Sequence, residues 1–170
     1  KVHANASRHS ALSWKHACEI EGRLQAEVAE LLALAEAADG ADVPDGMSVP
    51  EELARREDRL ARIAEAKAMI EARAKERHER ELAEHREKLK AREEKARKTG
   101  RKPGGRAPEP PVAGPAPKDQ VNLTDADSRI MPVAGGGFEQ AYNAQATVAS
   151  GSLLVITNDV VQATNDKREI

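Results

Sequence analysis

One segment limits the fold more than any other. Residues 51–98 contain neither glycine nor proline and consist mainly of Ala, Glu, Lys and Arg. These are strong helix formers, and opposite charges recur three and four positions apart, so the segment predicts one continuous helix about 70 Å long. Ser48 and Glu51 have the spacing of a capping box, and Pro50 suits the first turn, so the helix is predicted to begin near residue 49.

A shorter helix is predicted before it, from about residue 11 to residue 38. Its apolar side chains recur at steps of three and four and define one face: Ile20, Leu24, Val28, Leu31, Leu32, Ala35 and Ala38. The long helix keeps no heptad register over four repeats, which disfavours a long parallel coiled coil. We expect an antiparallel hairpin instead, with the short helix on the first half of the long one and the second half projecting as a solvated arm.

The next segment is a linker. Residues 99–119 contain six prolines and four glycines. Such a composition offers little apolar area to bury, so the segment is expected to be extended and mobile.

The last segment has the pattern of a β-hairpin. Residues 142–148 alternate apolar and polar side chains, with Tyr142 and Val148 on the apolar face, and residues 153–157 are mostly apolar. A lone hairpin is marginal in water, so it is expected to belong to a larger sheet. A further helix is expected to begin at Lys167.

Charge and cysteine content restrict the function classes. The 170-residue chain has 27 Lys and Arg against 29 Asp and Glu, and its net charge of −2 argues against overall attraction to nucleic acid while leaving local basic patches open. Cys18 is the only cysteine, which rules out a disulfide or a cysteine-based zinc site within one chain. No apolar run approaches the ~18–20 residues that span a membrane, so no membrane partner is expected.

The clearest candidate site is a basic cluster at the end of the long helix and in the linker, formed by Lys98, Arg101, Lys102 and Arg106. Basic side chains beside flexible glycines commonly neutralise phosphates, which predicts contact with DNA. The alternative is that these are solvated charges that keep the linker soluble.

Other patterns yield no assigned catalytic or metal-binding residue. Asp125 and Asp127 could bind a divalent cation, but paired acids in a polar segment more commonly form an Asx turn or a cap. Three glycines at residues 135–137 lack the Gly-Lys-Ser/Thr sequence of a phosphate loop and predict a turn. His78 and His85 would lie about 10 Å apart along a helix, too far for one metal ion.

Four stretches occur in an order that is similar to one family: Lys-Val-His-Ala-Asn-Ala-Ser at residues 1–7, Gln-Val-Asn-Leu-Thr-Asp-Ala-Asp-Ser-Arg-Ile-Met at 120–131, Gly-Phe-Glu-Gln-Ala-Tyr-Asn-Ala-Gln-Ala at 137–146, and Val-Gln-Ala-Thr-Asn-Asp at 161–166. They resemble bacterial insertion-sequence transposases of the DDE type. In that family Ala-Asn-Ala-Ser follows the first catalytic aspartate, and Thr-Asp-x-Asp-Ser-Arg, Tyr-Asn-x-Gln and Asn-Asp come later in the chain.

The resemblance implies an α+β chain in which part of an RNase H-like core, including a β-hairpin of a mixed sheet, is interrupted by a long helical-hairpin insertion. The implied units are the end of the first core strand, the insertion, the linker and the β-hairpin portion of the core, at residues 1–10, 11–98, 99–119 and 120–170. Three carboxylates of that family bind two Mg²⁺ ions for phosphoryl transfer. The first would stand three residues before Lys1 and the others beyond Ile170, so no catalytic residue is assigned here.

Two functions are expected from these observations. The first is a central fragment of a DNA transposase that cleaves and joins insertion-sequence ends as a homodimer or larger assembly, in the bacterial cytoplasm and associated with the nucleoid. The alternative is a non-enzymatic helical-hairpin or coiled-coil interaction protein, which the highly charged long helix also suits. The first predicts metal-dependent DNA cleavage by the intact protein, and the second predicts a stable helical oligomer.

Overall fold

The structure, a computed structural model, describes residues 1–37, 48–101 and 104–164. Within these ranges the chain is an α+β structure with two α-helices, a short 3-10 helix (Arg8–Ser10) and two small antiparallel sheets. Its helices and strands are β1 (Val2–His3), β2 (Ala11–Ser13), α1 (Trp14–Ala37), α2 (Val49–Thr99), β3 (Gln120–Asn122), β4 (Arg129–Pro132), β5 (Phe138–Val148) and β6 (Val155–Val161). The helix expected at Lys167 and the predicted end of the first helix at residue 38 lie outside the described residues.

The predicted long helix is confirmed as α2, which runs unbroken for 51 residues. Ser48 is its N-cap residue, but the serine side chain makes no cap hydrogen bond, so the predicted capping box is wrong. Pro50 removes one amide that such a cap could satisfy, and Glu51 and Glu52 place negative charge beside the helix N-terminus. The helix ends at Thr99 and is capped by Gly100, whose φ of 63° is in the left-handed region that favours glycine.

Helix α1 begins later than predicted because the residues before it belong to a sheet. Ala11–Ser13 form β2, which pairs antiparallel with β3. The first two amides of α1, from Trp14 and Lys15, donate to the backbone oxygens of Asp119 and Pro117 at 2.7 and 3.2 Å. A helix leaves its first amides without intrahelical partners, so these carbonyls from the end of the linker define where α1 starts.

Helices α1 and α2 form the predicted antiparallel hairpin. Lys67 donates to Glu21 at 2.6 Å and Arg56 donates to Glu27 at 2.9 Å. The later residue of α1 thus contacts the earlier residue of α2, as antiparallel helices require. The shared core lies on the first half of α2, as predicted, and consists of Leu12, Ala17, Ile20, Leu24, Ile63, Ala66, Ile70 and Val121. Two of these residues are alanines, whose short side chains allow a close approach of the helices.

The linker runs back along α2. Arg92 donates to the backbone oxygen of Gly105 at 2.7 Å, and Arg77 donates to that of Gly114 at 3.3 Å. Later linker residues therefore meet earlier helix residues, and the segment returns toward the sheets. Its proline and glycine content predicts the extended path but not these contacts with the helix.

Strand β5 is the centre of the larger sheet. Strands β1 and β4 pair with it on opposite edges, both antiparallel, and β6 pairs with it over residues 143–148. The predicted hairpin is therefore present, although β5 begins at Phe138, four residues earlier than the alternation indicates. The glycines at 135–137, with φ values of 89°, 91° and 93°, form the predicted turn between β4 and β5.

The exposed face of β5 is the opposite of the one that alternation predicts. Asn143 is buried, whereas Ala144, Ala146 and Val148 are exposed. Ser128, in the segment before β4, donates to the buried Gln140 near the start of β5. Much of the apolar surface of the hairpin stays uncovered. Val155 in β6, for example, is 59% exposed.

The hairpin core yields a stability prediction from two matched substitutions. Ile70 is 1% exposed between the helices and Ile156 is 68% exposed in β6. Ile70→Ala should lower the free energy of unfolding by about 2–5 kcal/mol, because it leaves a cavity in a small core. Ile156→Ala should change it by no more than about 0.5 kcal/mol. Urea unfolding followed by circular dichroism measures both, and equal losses would contradict this description of the core.

Candidate nucleic-acid interface

The predicted basic cluster lies around the C-terminal end of α2. Lys98 is in the last helical turn, Arg101 follows the cap, and Arg106 is in the linker, and all three are exposed. Arg106 forms an ion pair with Glu109, which offsets its charge. Lys102 lies outside the described residues. Because a cation near a helix C-terminus also stabilises the helix, the place of Lys98 alone does not decide between DNA contact and a structural role.

A groove between α2 and the linker contains only part of this cluster. It has a volume of about 420 Å³ and is lined by Arg101 together with Lys88, Arg92 and Lys95, but not by Lys98 or Arg106. Residues 88, 92 and 95 are spaced by four and three positions, so they share one helix face. That spacing is visible in the sequence and is the signal that would have identified these residues.

A second and larger basic surface was not predicted. A cleft of about 880 Å³ opens between α2, the end of the linker and the strands, and its cationic side chains are Arg73, Arg77, Arg80, Lys118 and Arg129. The three helix residues again follow the spacing of four and three. The cleft forms only because Lys118 and Arg129, distant in sequence, are carried to this helix face by the returning linker and the sheet.

Asp119 connects three parts of the molecule at the edge of this cleft. Its two carboxylate oxygens accept from the two terminal nitrogens of Arg77 at 2.9 and 2.8 Å, and one of them also accepts from the amide of Ala116 at 2.7 Å. Its backbone oxygen accepts from Trp14 at the start of α1. Burial acts to raise the pKa of Asp119, but the hydrogen bonds from Arg77 and Ala116 outweigh it, and the pKa lies below its ordinary value.

The segment between β3 and β4 is held by its own polar side chains. The hydroxyl of Tyr142 donates to both carboxylate oxygens of Asp125 at 2.7 Å, and this hydrogen bond raises the pKa of the tyrosine. Asp125 also accepts from the amide of Ser128, three residues further on, at 3.3 Å, which is the spacing of the cap predicted as the alternative to an Asx turn. The hydroxyl of Ser128 donates to Gln140, and Asn122 accepts from two amides of the turn.

These contacts and one from Gln162 engage both acids of the Asp125 and Asp127 pair. The carboxylate of Asp125 is taken up by Tyr142 and the turn, and Asp127 accepts from Gln162 at 3.4 Å. Across residues 1–37, 48–101 and 104–164, no three His, Cys, Asp or Glu side chains gather as metal ligands would. The described residues therefore do not fit the two-ion centre of the family that the sequence resembles.

Comparisons with known proteins add no assignment. A scan against protein-family models, a search of curated proteins and a search of solved structures each found no match. Neither α1 nor α2, over the residues described, is both long and apolar enough to cross a membrane.

The ion pair of Asp119 yields a pH prediction. Asp119→Asn should lower the free energy of unfolding near neutral pH by about 1–3 kcal/mol, because Arg77 loses a charged acceptor. Since the pKa of Asp119 in the folded protein lies below its ordinary value of 3.8, the stabilisation is complete above that pH and disappears as the pH falls through the folded pKa. The wild-type and variant stabilities, measured by urea unfolding from pH 7 to pH 2, should therefore converge in acid.

The matched control is the exposed pair of Arg106 and Glu109. Glu109→Gln removes an ion pair of the same charge type from a solvated position, where such pairs contribute little. Its unfolding free energy should remain within about 0.5 kcal/mol of wild type at neutral pH. A loss as large as that of Asp119→Asn would show that the bidentate geometry has no special effect.

Proposed function

We propose that this chain is a central segment of a bacterial insertion-sequence transposase of the DDE type, whose complete protein cleaves and joins DNA at the ends of its element. The observation that carries the proposal is spatial. The sequence stretches that resemble this family are separated by the helical insertion, yet their own residues contact one another. Val2 pairs with Tyr142, and the Asn122 side chain donates to the backbone of Ser7 at 2.7 Å. A chance resemblance would not require its separate pieces to fit together.

Further contacts join the later stretches. Tyr142 binds Asp125, and Arg129 donates to the side chain of Gln162. The residues that carry the resemblance are therefore those that hold the four-stranded sheet and the turn before β4 in place. This supports a role for the pattern in building a core, with the catalytic acids elsewhere.

The strand pairing supports an RNase H-like core as the finer description of the fold. Strands β1 and β6 both pair antiparallel with β5, as expected of the first three strands of such a core. Val2 lies opposite Tyr142 in this pairing. If β1 continued upstream in the same register, the aspartate that the family has three residues before Lys1 would lie opposite Ala146. The uncovered apolar side chains of the β5–β6 hairpin suit a sheet that is completed by further elements.

The insertion and its basic end are proposed to contact DNA or a second subunit of a homodimer or larger assembly. Lys98 and Arg101 are exposed at the C-terminal end of α2, and the groove beside them adds three basic side chains. Phosphate neutralisation by such side chains is independent of base sequence. This function implies a protein of the bacterial cytoplasm that works on the nucleoid.

The helical-hairpin interaction protein remains the second candidate, because α1 has apolar side chains that α2 leaves uncovered. Leu32 is 49% exposed and Leu34 is 37% exposed. The two candidates differ in what the purified chain does. A stable helical oligomer that does not bind DNA would favour the second, and a monomer in sedimentation equilibrium would count against it.

The proposal predicts the coding sequence around the chain and the activity of the longer protein. Asp-Gly-Thr should precede Lys1 in frame, and two further acids should follow Ile170. The longer protein should cleave and join its own element ends in the presence of Mg²⁺, and replacing the upstream aspartate by Ala should abolish both reactions. Asp58→Asn, an exposed change on α2, is the control that should retain activity. A longer protein that is inactive on its own ends would overturn the proposal.

The basic cluster predicts the salt dependence of DNA binding. Replacing Lys98, Arg101 and Arg106 by Ala should reduce the slope of log K against log[salt] by about 2–3, since each phosphate contact contributes roughly 0.9. Replacing Arg59, Arg62 and Lys75 removes the same charge from exposed positions nearer the hairpin core and should leave the slope nearly unchanged. Fluorescence anisotropy with duplex DNA at several salt concentrations measures both. Equal slopes in the two triple variants would indicate that the cluster consists of solvated charges that keep the linker soluble.

A further inference from the structure

The larger cleft contains two arginines whose hydrogen-bond acceptors are all neutral groups. Arg73 donates to the backbone oxygen of Gln120 at 3.3 Å and to that of Ala126. Arg129 donates to three successive backbone oxygens and to one amide oxygen, those of Ala126, Asp127, Ser128 and Gln162. Neither guanidinium forms an ion pair with a carboxylate of the described residues, and the two share the oxygen of Ala126.

Both arginines are partly removed from water. Burial lowers the pKa of Arg73, and burial together with the nearby charge of Arg73 lowers the pKa of Arg129. Placing two guanidinium groups close together in a half-buried position is unfavourable unless negative charge compensates them. The carboxylates of Glu76 and Asp127 act on them at longer range, without direct contact.

The rest of the cleft increases the positive charge. Arg80 and Lys118 line it and are exposed. Of its two lining acids, Asp119 is already paired with Arg77, which leaves Glu76 as the only lining acid without that ion pair among the described residues. The surface is therefore a concave site with an excess of cations over anions.

We infer that this cleft is a phosphate-binding site centred on Arg73 and Arg129, with Arg80 and Lys118 at its rim. The planar guanidinium group binds phosphate oxygens through two parallel hydrogen bonds, and the four backbone oxygens and the amide oxygen hold both groups in place before the ligand arrives. The phosphate could be a free ion or the phosphodiester of a nucleic-acid strand. The cleft would bind it whether or not the complete protein cuts DNA.

The test is an NMR titration of the full chain that follows the Nε–Hε signals of arginine. Inorganic phosphate should shift the signals of Arg73 and Arg129 saturably, and chloride at the same ionic strength should not. A twelve-nucleotide single strand that produces the same shifts and competes with phosphate identifies the phosphodiester as a ligand. Shifts with inorganic phosphate alone identify a small-anion site. No saturable shift with either probe overturns the inference.

Substitutions locate the site. Arg129→Lys and Arg73→Lys keep the charge but lose the paired donors, and each should weaken phosphate binding by about tenfold or more. Both arginines also bind backbone oxygens, so their replacement could disturb the local structure. Arg80→Ala is a second test, because Arg80 forms no hydrogen bond in the described structure. It should weaken phosphate binding severalfold. Arg59→Ala, exposed on the same helix, should have no effect. An unchanged affinity in Arg80→Ala and in both lysine variants would overturn the assignment.

These results can be separated from the proposed function. Loss of phosphate binding in the cleft variants, with DNA cleavage intact in the longer protein, would support the phosphate site and show that cleavage does not require it. Absence of cleavage with phosphate binding intact would overturn only the transposase proposal.

Discussion

The ion pair between Arg77 and Asp119 is the contact on which the arrangement of the chain depends. The carboxylate of Asp119 binds Arg77 on α2, and the backbone oxygen of Asp119 accepts a hydrogen bond from the first amide of α1. The turn that contains Asp119 leads directly into β3. The helical hairpin, the linker and the sheets therefore meet at one residue. Asp119 is partly buried, and both its side chain and its backbone form hydrogen bonds. Loss of the carboxylate would therefore remove contacts to α2 and to the linker at once.

Polar contacts between the long helix and its neighbouring segments help to hold this chain together. The core between the helices is small and includes two alanines. The long helix compensates by using its arginines as donors to backbone oxygens of neighbouring segments, at residues 73, 77 and 92. Arginine suits this use because its five donors lie on a rigid plane and its stem covers apolar surface. The same side chains that would solubilise an isolated helix thus position the linker and the turn before β4.

The sequence was sufficient to predict the elements whose signals are local. Apolar periodicity identified the first helix and helix-forming composition the second, and the glycines at 135–137 identified a turn. It failed where distant residues decide the outcome. Ala11–Ser13 form a strand only because β3 lies beside them. Gln140 is buried in β5 because Ser128, in the turn that follows Asp125, donates a hydrogen bond to it. The predicted basic cluster is divided for the same reason: Arg101 lines the groove, whereas Lys98 and Arg106 do not. The larger cleft was missed because its five cations come from three segments, although the spacing of Arg73, Arg77 and Arg80 was visible.

The pairing of β2 with β3 has a consequence for how this chain can vary. Ser13 lies opposite Gln120 in an antiparallel register, so the segment between them leaves the sheet and re-enters it at adjacent positions. A two-residue turn could close the same gap. The register of β2 and β3 is thus independent of how many residues lie between them. The arm of α2 beyond the hairpin core and the linker that returns along it can change length together by whole helical turns, while Leu12 and Val121 keep the base of the insertion packed on the helices.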